Sequence, residues 1–235
     1  MITQAQIDIH DLALEGFGID FEKGLIPLFD TVYAELANLG NLVDRAAIVR
    51  IFYPVTQYIQ NFGFEPVIDS NRLLNESVIP ESASLGAFVS IAGLRTEALN
   101  IVSQSIEEEK QNIIQTLVFA ALAGATLVPI LRQLKAVVKD MIKRISFAFK
   151  TAIRNFDGAF TLIKARLAGI TRFKYVGGTI PTSRQFCISH NNKIYTRKQI
   201  DNIWKNSTWG GKAPGDPFIV RGGYNCRHFF VPVEE

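Results

Sequence analysis

Apolar residues return at intervals of three and four through the first sixty positions: Leu25, Leu28, Phe29, Val32, Tyr33, Leu36 and Leu39, then Ile48, Val49, Ile51, Phe52, Val55 and Ile59. That period is one face of an α-helix. Gly16, Gly18, Gly40 and Gly63 interrupt it and predict several short helices. Residues 64–84, with Pro66, Pro80 and several Asn and Ser, predict an irregular connection. Helical periodicity resumes at Ser84 and runs to about Glu109, closing on the acidic run Glu107, Glu108 and Glu109.

The segment Gln111 to Leu131 has no charged residue over 21 positions, long enough to cross a bilayer as a continuous apolar helix. Gln111, Asn112, Gln115, Gly124, Thr126 and Pro129 interrupt it, and its flanks carry no aromatic belt. The pattern therefore predicts a buried core helix broken near Gly124, with no stable membrane insertion; the alternative is a segment that meets membrane only during a delivery event. Residues 131–154 form the clearest amphipathic helix, with Leu134, Val138, Met141, Ile142, Ile145, Phe149 and Ile153 on one side. Arg132, Lys135, Lys139, Lys143, Lys150 and Arg154 fall at helical spacings along another face. Such a stripe suits phosphates or an acidic protein surface, although a basic stripe is more often simply a solvated face.

At Gly169 the character changes. Phe173–Val176 reads as a strand ended by Gly177 and Gly178, and Lys193–Tyr195 as a second, short one. Thr196 is placed to cap a brief helix over Arg197–Lys205. A long glycine and proline loop follows, through Trp209–Gly211 and Pro214–Pro217, and the chain closes on an apolar strand, Phe229–Val233. The expected fold class is α+β: an all-helical region over residues 1–168, then a small loop-rich α+β module over 169–235 with a candidate zinc staple.

Composition sets the outer limits. A chain of 235 residues with 48% hydrophobic and 20% charged residues can bury a core and is not a disordered polymer. Two cysteines cannot build a disulfide framework, and the opening residues lack a basic stretch followed by an apolar one, so the expected compartment is the cytoplasm or something assembled there. The net charge of +3 hides an asymmetry. Residues 1–131 carry 6 Lys and Arg against 16 Asp and Glu, and residues 132–235 carry 19 against 6. An acidic front and a basic back suit two different neighbours, protein for one and polyanion for the other.

Both cysteines and two of the three histidines lie in the C-terminal module: Cys187 and His190, then Cys226 and His228. Thiolate and neutral imidazole are the donors zinc prefers, and four of them close a tetrahedral structural site. A small module with a modest core gains most from such a staple. Three other readings stay open for these residues: small buried hydrophobes with locally satisfied histidines, a Cys/His nucleophilic pair without a recognisable oxyanion loop, and a disulfide formed in an oxidising medium. Arg184, Arg221 and Arg227 bracket the same turns and are suited to pinning loop carbonyls. His10, alone in the acidic half, reads as an ordinary residue. Trp204, Trp209 and Tyr224 are candidates for stacking on bases.

The runs Phe173–Gly178, Thr182-Ser183-Arg184-Gln185-Phe186-Cys187 and Gly222-Gly223-Tyr224-Asn225-Cys226-Arg227-His228 together resemble the C-terminal signature of the phage head morphogenesis family, the Mu F-like minor head proteins. Thr182 and Arg184 match the first part of that signature, Cys187 its Cys/His position, and Gly222, Gly223, Tyr224, Asn225, Cys226, Arg227 and His228 its ending. The resemblance covers about the last 130 residues; residues 1–105 match no pattern. It implies a minor head component at the portal vertex, in the virion and in host cytoplasm during assembly. The implied role is in head morphogenesis or genome packaging and delivery. Portal and capsid proteins are the implied partners, with further copies of the chain and packaged DNA as additional contacts. It carries over no catalytic residue, so an enzyme is not expected, although the module also occurs ahead of toxin domains. Its Cys/His positions favour a structural cluster. A nucleic-acid-binding zinc module is the alternative function.

Overall fold

Ile7, His10, Leu14, Phe17, Phe21, Leu25, Phe29, Val32 and Leu36 lie three or four residues apart and are all buried, and they carry one continuous helix, α1 (Gln4–Ala37). The computed structural model describes residues 2–38, 44–80, 91–123, 127–224 and 226–233. The breaks expected at Gly16 and Gly18 do not occur, because a glycine costs a helix only about 1 kcal/mol while each large apolar side chain buried along this face returns about 1.5–3 kcal/mol. Gly40 lies outside the described residues. Gly24 has a packing role: a Cβ there would strike the Tyr58 hydroxyl, which donates to the Phe21 carbonyl at 3.2 Å.

Three short helices follow, α2 (Arg45–Ile51), α3 (Tyr53–Asn61) and α4 (Glu65–Asn75). The last corrects the irregular connection expected over 64–84. Pro66 sits in the first turn of α4, where its missing N–H costs nothing, and Val67, Ile68, Asn71, Leu74 and Asn75 are buried; residues 81–84 lie outside the described set. Helix α5 (Ile91–Leu122) and helix α6 (Leu127–Leu167) complete the helical part. The uncharged stretch is split between them, and Gly124 lies outside the described residues. Within it Ile113, Ile114 and Leu117 are buried while Phe119 is 69% exposed. No helix among the described residues is long and apolar enough to cross a membrane.

The C-terminal part adds a three-stranded antiparallel sheet in the order β2-β1-β3, with β1 (Arg172–Val176), β2 (Ile194–Thr196) and β3 (Phe229–Val233). Pro232 lies opposite Phe173 in β3, an edge strand, which is where a sheet tolerates proline. Around the sheet lie α7 (Gln185–His190), α8 (Arg197–Asn206) and α9 (Pro217–Val220). Thr196 caps α8 in a reciprocal box with Gln199. The fold is thus α+β, helical first and with a small sheet at the end.

Two compact units divide the chain differently from the expected boundary at 168/169. One comprises Met1–Phe17, Phe64–Ala98 and Lys150–Glu235; the other comprises Gly18–Gly63 and Leu99–Phe149. In the second, Phe21 stacks on Phe149 with ring centroids 3.6 Å apart, and Phe62 meets both edge-on. In the first, the sheet packs with Phe186, Ile200, Trp204 and Phe218 in one core cluster that also takes in Ile79 and Leu162. The segment 169–235 therefore shares its unit with the start of α1, α4 and the end of α6. The reason is visible in its ion pairs: Arg154 is buried, bonded to Asp11 at 3.1 Å, Glu15 at 2.7 Å and the Arg227 carbonyl at 3.1 Å. Part of the charge asymmetry along the sequence is neutralised inside the molecule.

A buried polar network lies in the same unit. His10 stands between Ser70 (Nδ1 to Oγ, 2.8 Å) and Asp157 (Nε2 to Oδ1, 3.1 Å). Asn71 donates to Asp157 at 2.6 Å and to Thr161 at 2.7 Å, and Lys164 donates to Asn71 Oδ1 at 2.9 Å. Burial, partly offset by the charge of Asp157, lowers Lys164 from 10.5 to about 8. Between those two values the unfolded chain holds more proton than the folded one, so raising the pH from about 8 to 10.5 favours the folded state at this residue. The difference in unfolding free energy between the wild type and Lys164→Met is expected to shift toward the wild type by about 3 kcal/mol across that window. Denaturant melts at both pH values measure it, and a constant difference would contradict the assignment.

Candidate metal centre

The central strand β1 brings Tyr175 to the middle of the site. Its backbone is fixed by N–H donation to the Lys193 carbonyl at 3.0 Å and by the Asn192 N–H at 2.7 Å. Cys187 stands on the buried side of α7, and Cys226 and His228 on the segment that leads into β3. The Cys187 and Cys226 sulfurs are 3.8 Å apart, and Tyr175 Oη is 3.5 Å from the first and 3.6 Å from the second. The His228 ring stacks on Tyr175, centroids 5.1 Å apart, and its Nε2 is buried without a hydrogen-bond partner among the described residues. The ligand atoms of Cys187, Cys226 and His228 all lie within 4.8 Å of one another, and this buried group can hold a metal ion.

The loops close on the site through contacts that the glycines permit. A Cβ on Gly222 would stand 2.5 Å from Cys187 Sγ and 2.8 Å from Cys226 Sγ, so only glycine lets the backbone approach the two sulfurs. Gly223 has a φ of +94°, a conformation glycine adopts without strain, and its Cβ position is taken by the Gly211 carbonyl. Trp209 donates to the Gly222 carbonyl at 2.9 Å and Trp204 to the Arg221 carbonyl at 2.6 Å. Arg184 pins two loops at once, donating from Nε to Gly210 at 3.0 Å and from Nη2 to Tyr224 at 2.8 Å. Arg221, fully buried, donates to the carbonyls of Ile219 and His228. These two arginines fill the loop-pinning role that their spacing suggested. Arg227 is half-exposed and faces Glu15 at 3.9 Å.

The two thiols behave as one unit. Cys226 is held well below its ordinary value, first by the hydrogen bond from Cys187, then by the side chain and backbone N–H of His228, against the effect of burial. Cys187 is pushed up, first by its hydrogen bond to Cys226 and then by burial. Cys226 thus loses its proton more readily than a free thiol and Cys187 less readily, its proton leaving to solvent only when a bound cation takes up the sulfur lone pair.

Of the four predicted ligands, three meet and one does not. His190 Nδ1 lies 2.6 Å from the Tyr195 hydroxyl, and the ring packs against Phe186. Burial, and then Lys193, lower its pKa, and its Nδ1 is satisfied locally by Tyr195. The basic stripe needs a second correction: Arg132, Lys135, Lys139 and Lys143 are exposed along α6, Lys150 is half-buried, and Arg154 is the buried partner of Asp11 and Glu15. Of the stacking candidates, Trp204 is core and Trp209 lies face to face with Phe186 at 3.8 Å; Tyr224 alone of the three is exposed. Thr182 is exposed just before Arg184, and Asn225 lies outside the described residues.

Neither of two clefts in this part opens onto the sulfurs. One, of about 660 Å³, lies beside Arg184, Ser189 and Trp209; the other, of about 280 Å³, lies beside Asp201, Lys212 and Val220. No protein-family model, curated protein or solved structure matches the chain.

Proposed function

We propose that the protein is a minor head component of a phage particle, located at the portal vertex and acting in head morphogenesis or genome delivery, with its C-terminal module held by a structural zinc ion. The observation that carries this reading is the convergence of the two separated motif segments. Cys187, from the Thr182–Cys187 run, and Cys226 and His228, from the Gly222–His228 run, meet in one buried site, and Arg184 ties the loops around it. Residues of the two motif runs that meet in one buried group, beside two clefts neither of which is lined by them, fit a structural role better than a catalytic one.

Zinc is the metal that best suits the donors. Two sulfurs bound to one zinc at about 2.3 Å with a tetrahedral angle stand about 3.8 Å apart, which is the separation of Cys187 and Cys226. A disulfide would need about 2.05 Å. Cys187, Cys226 and His228 would hold the ion, which supplies crosslinking of α7 to the segment before β3 rather than reactivity.

On this reading the exposed basic face of α6 meets packaged DNA or an acidic surface of a portal, capsid or neighbouring copy, by contacts that do not depend on sequence. Quantitative mass spectrometry of purified particles tests the placement: a fixed, low ratio to the portal protein is expected, and absence from particles despite abundance in the lysate would overturn it. Replacing Lys135, Lys139 and Lys143 by Glu is expected to abolish salt-sensitive binding to short duplex DNA. Unchanged binding by that triple variant would remove DNA as the partner of this face.

A further inference from the structure

Resting on the zinc reading, we infer that Tyr175 is the fourth ligand of the metal, completing a closed site of two sulfurs, one nitrogen and one phenolate oxygen. Zinc–sulfur bonds of about 2.3 Å and a zinc–oxygen bond of about 2.0 Å set the oxygen-to-sulfur edge at about 3.5 Å and the sulfur-to-sulfur edge at about 3.8 Å. Tyr175 Oη stands 3.5 Å from Cys187 Sγ and 3.6 Å from Cys226 Sγ, and the sulfurs are 3.8 Å apart. These three atoms form one face of a zinc-sized tetrahedron, and His228, stacked on the tyrosine with its ligand nitrogen within 4.8 Å of both sulfurs, is the donor available for the remaining corner.

Burial and charge argue the same way. Tyr175, Cys187 and His228 are each no more than 2% exposed and Cys226 is 6% exposed, so the described residues leave a water molecule no open route to a fourth position. His190, the histidine expected there, is engaged with Tyr195. Two thiolates, one phenolate and a divalent ion leave the site with one net negative charge, which a buried site must neutralise. Arg221 is positioned to do so: its guanidinium is completely buried, interacts electrostatically with both Cys226 and Tyr175, and its Nη2 has no hydrogen-bond partner among the described residues. Binding releases to solvent the protons held on the sulfurs and the phenol; no electron is transferred and no carbon bond changes.

The test uses the full-length chain and zinc itself. X-ray absorption at the zinc edge is expected to give two sulfur and two nitrogen or oxygen neighbours, and adding zinc to stripped protein is expected to produce tyrosinate absorption. Tyr175→Phe should lose that absorption, keep one zinc per chain on the remaining three ligands, and bind it at least about tenfold more weakly. His190→Ala should change neither. If zinc binds the wild type without a tyrosinate signal, or if His190→Ala rather than Tyr175→Phe removes a neighbour, Tyr175 is not a ligand while the metal reading stands. If the wild type binds no zinc, the metal reading itself falls. The tyrosinate measurement on the wild type decides the matter even where Tyr175→Phe does not fold.

Discussion

Cys226→Ser is expected to abolish zinc binding, from about one ion per chain to none, and to unfold residues 170–233 while leaving the helical signal largely intact. Serine keeps the size of the side chain but is a poor zinc donor, and Cys226 is the sulfur whose pKa is lowered by Cys187 and His228. Structural zinc in small modules contributes on the order of 10 kcal/mol, and where the site is absent from the unfolded chain that energy is folding energy. The loss falls on the core of Tyr175, Phe186, Trp204 and Trp209 packed around the site. Near-ultraviolet circular dichroism should therefore collapse in the variant while the far-ultraviolet helical bands persist. Chelation should lower the melting temperature of the wild type and leave that of Cys226→Ser unmoved. A wild type free of metal, together with a variant of unchanged melting temperature, would remove the staple from the account.

Asp157→Asn is expected to destabilise the protein by about 3–5 kcal/mol, the usual consequence of leaving buried cationic partners without their carboxylate. Asp157 is completely buried, 3.1 Å from His10 and 2.6 Å from Asn71, and it also compensates the buried Arg221. Burial alone would raise its pKa; His10, Arg221 and Asn71 outweigh that and bring it below 3.8. A carboxyl lowered in the folded state stabilises fully above its unfolded pKa, and that contribution is lost as the pH falls through the folded value. Acid unfolding of the wild type should therefore carry a component below pH 4 that Asp157→Asn lacks. Asp140→Asn is the contrast. Asp140 is exposed and pairs with Lys143 at 3.7 Å, so its loss should cost no more than about 1 kcal/mol. Equal, small effects of the two substitutions would show that the network contributes little.

The local elements were largely readable from the chain. Phe173–Val176, Lys193–Tyr195 and Phe229–Val233 stood out as strands by their β-branched and aromatic content and bounding glycines, and β1, β2 and β3 fall there within a residue or two. Thr196 announced the start of α8, and the structure adds the reciprocal bond from Gln199. The apolar face of α6 was legible from its period, because Leu134, Val138, Met141 and Ile145 are buried as their spacing requires. Breakers misled in two ways: packing outweighed Gly16 and Gly18, which lie inside α1, and Pro66, read as part of an irregular connection, sits in the first turn of α4. The clefts and the buried network had no local signal. His10 and Asp157 are 147 positions apart in sequence, and nothing near His10 marks it as more than one polar residue on a helix.

The candidate site divides along the same line. The inventory is legible along the chain: two cysteines and two histidines in one glycine-rich module, in runs that resemble a head-protein signature, behind a helical lead-in with a basic face. Which of them meet depends on how the segments pack. His190 follows Cys187 by three residues, a spacing that suggests a shared ligand pair, yet α7 ends at His190 and Tyr195 holds its ring. Tyr175 carries no metal-binding motif, yet the register of β1 against β3 sets it opposite Phe230 and stacks it on His228. Likewise Arg154 belongs to the basic stripe by spacing, and is withdrawn from it by Asp11 and Glu15. Periodicity and capping are properties of neighbours along the chain. The company a side chain keeps across 50 or 140 positions is set by sheet register, close glycine approach and the compensation of buried charge, which exist only once the chain has folded.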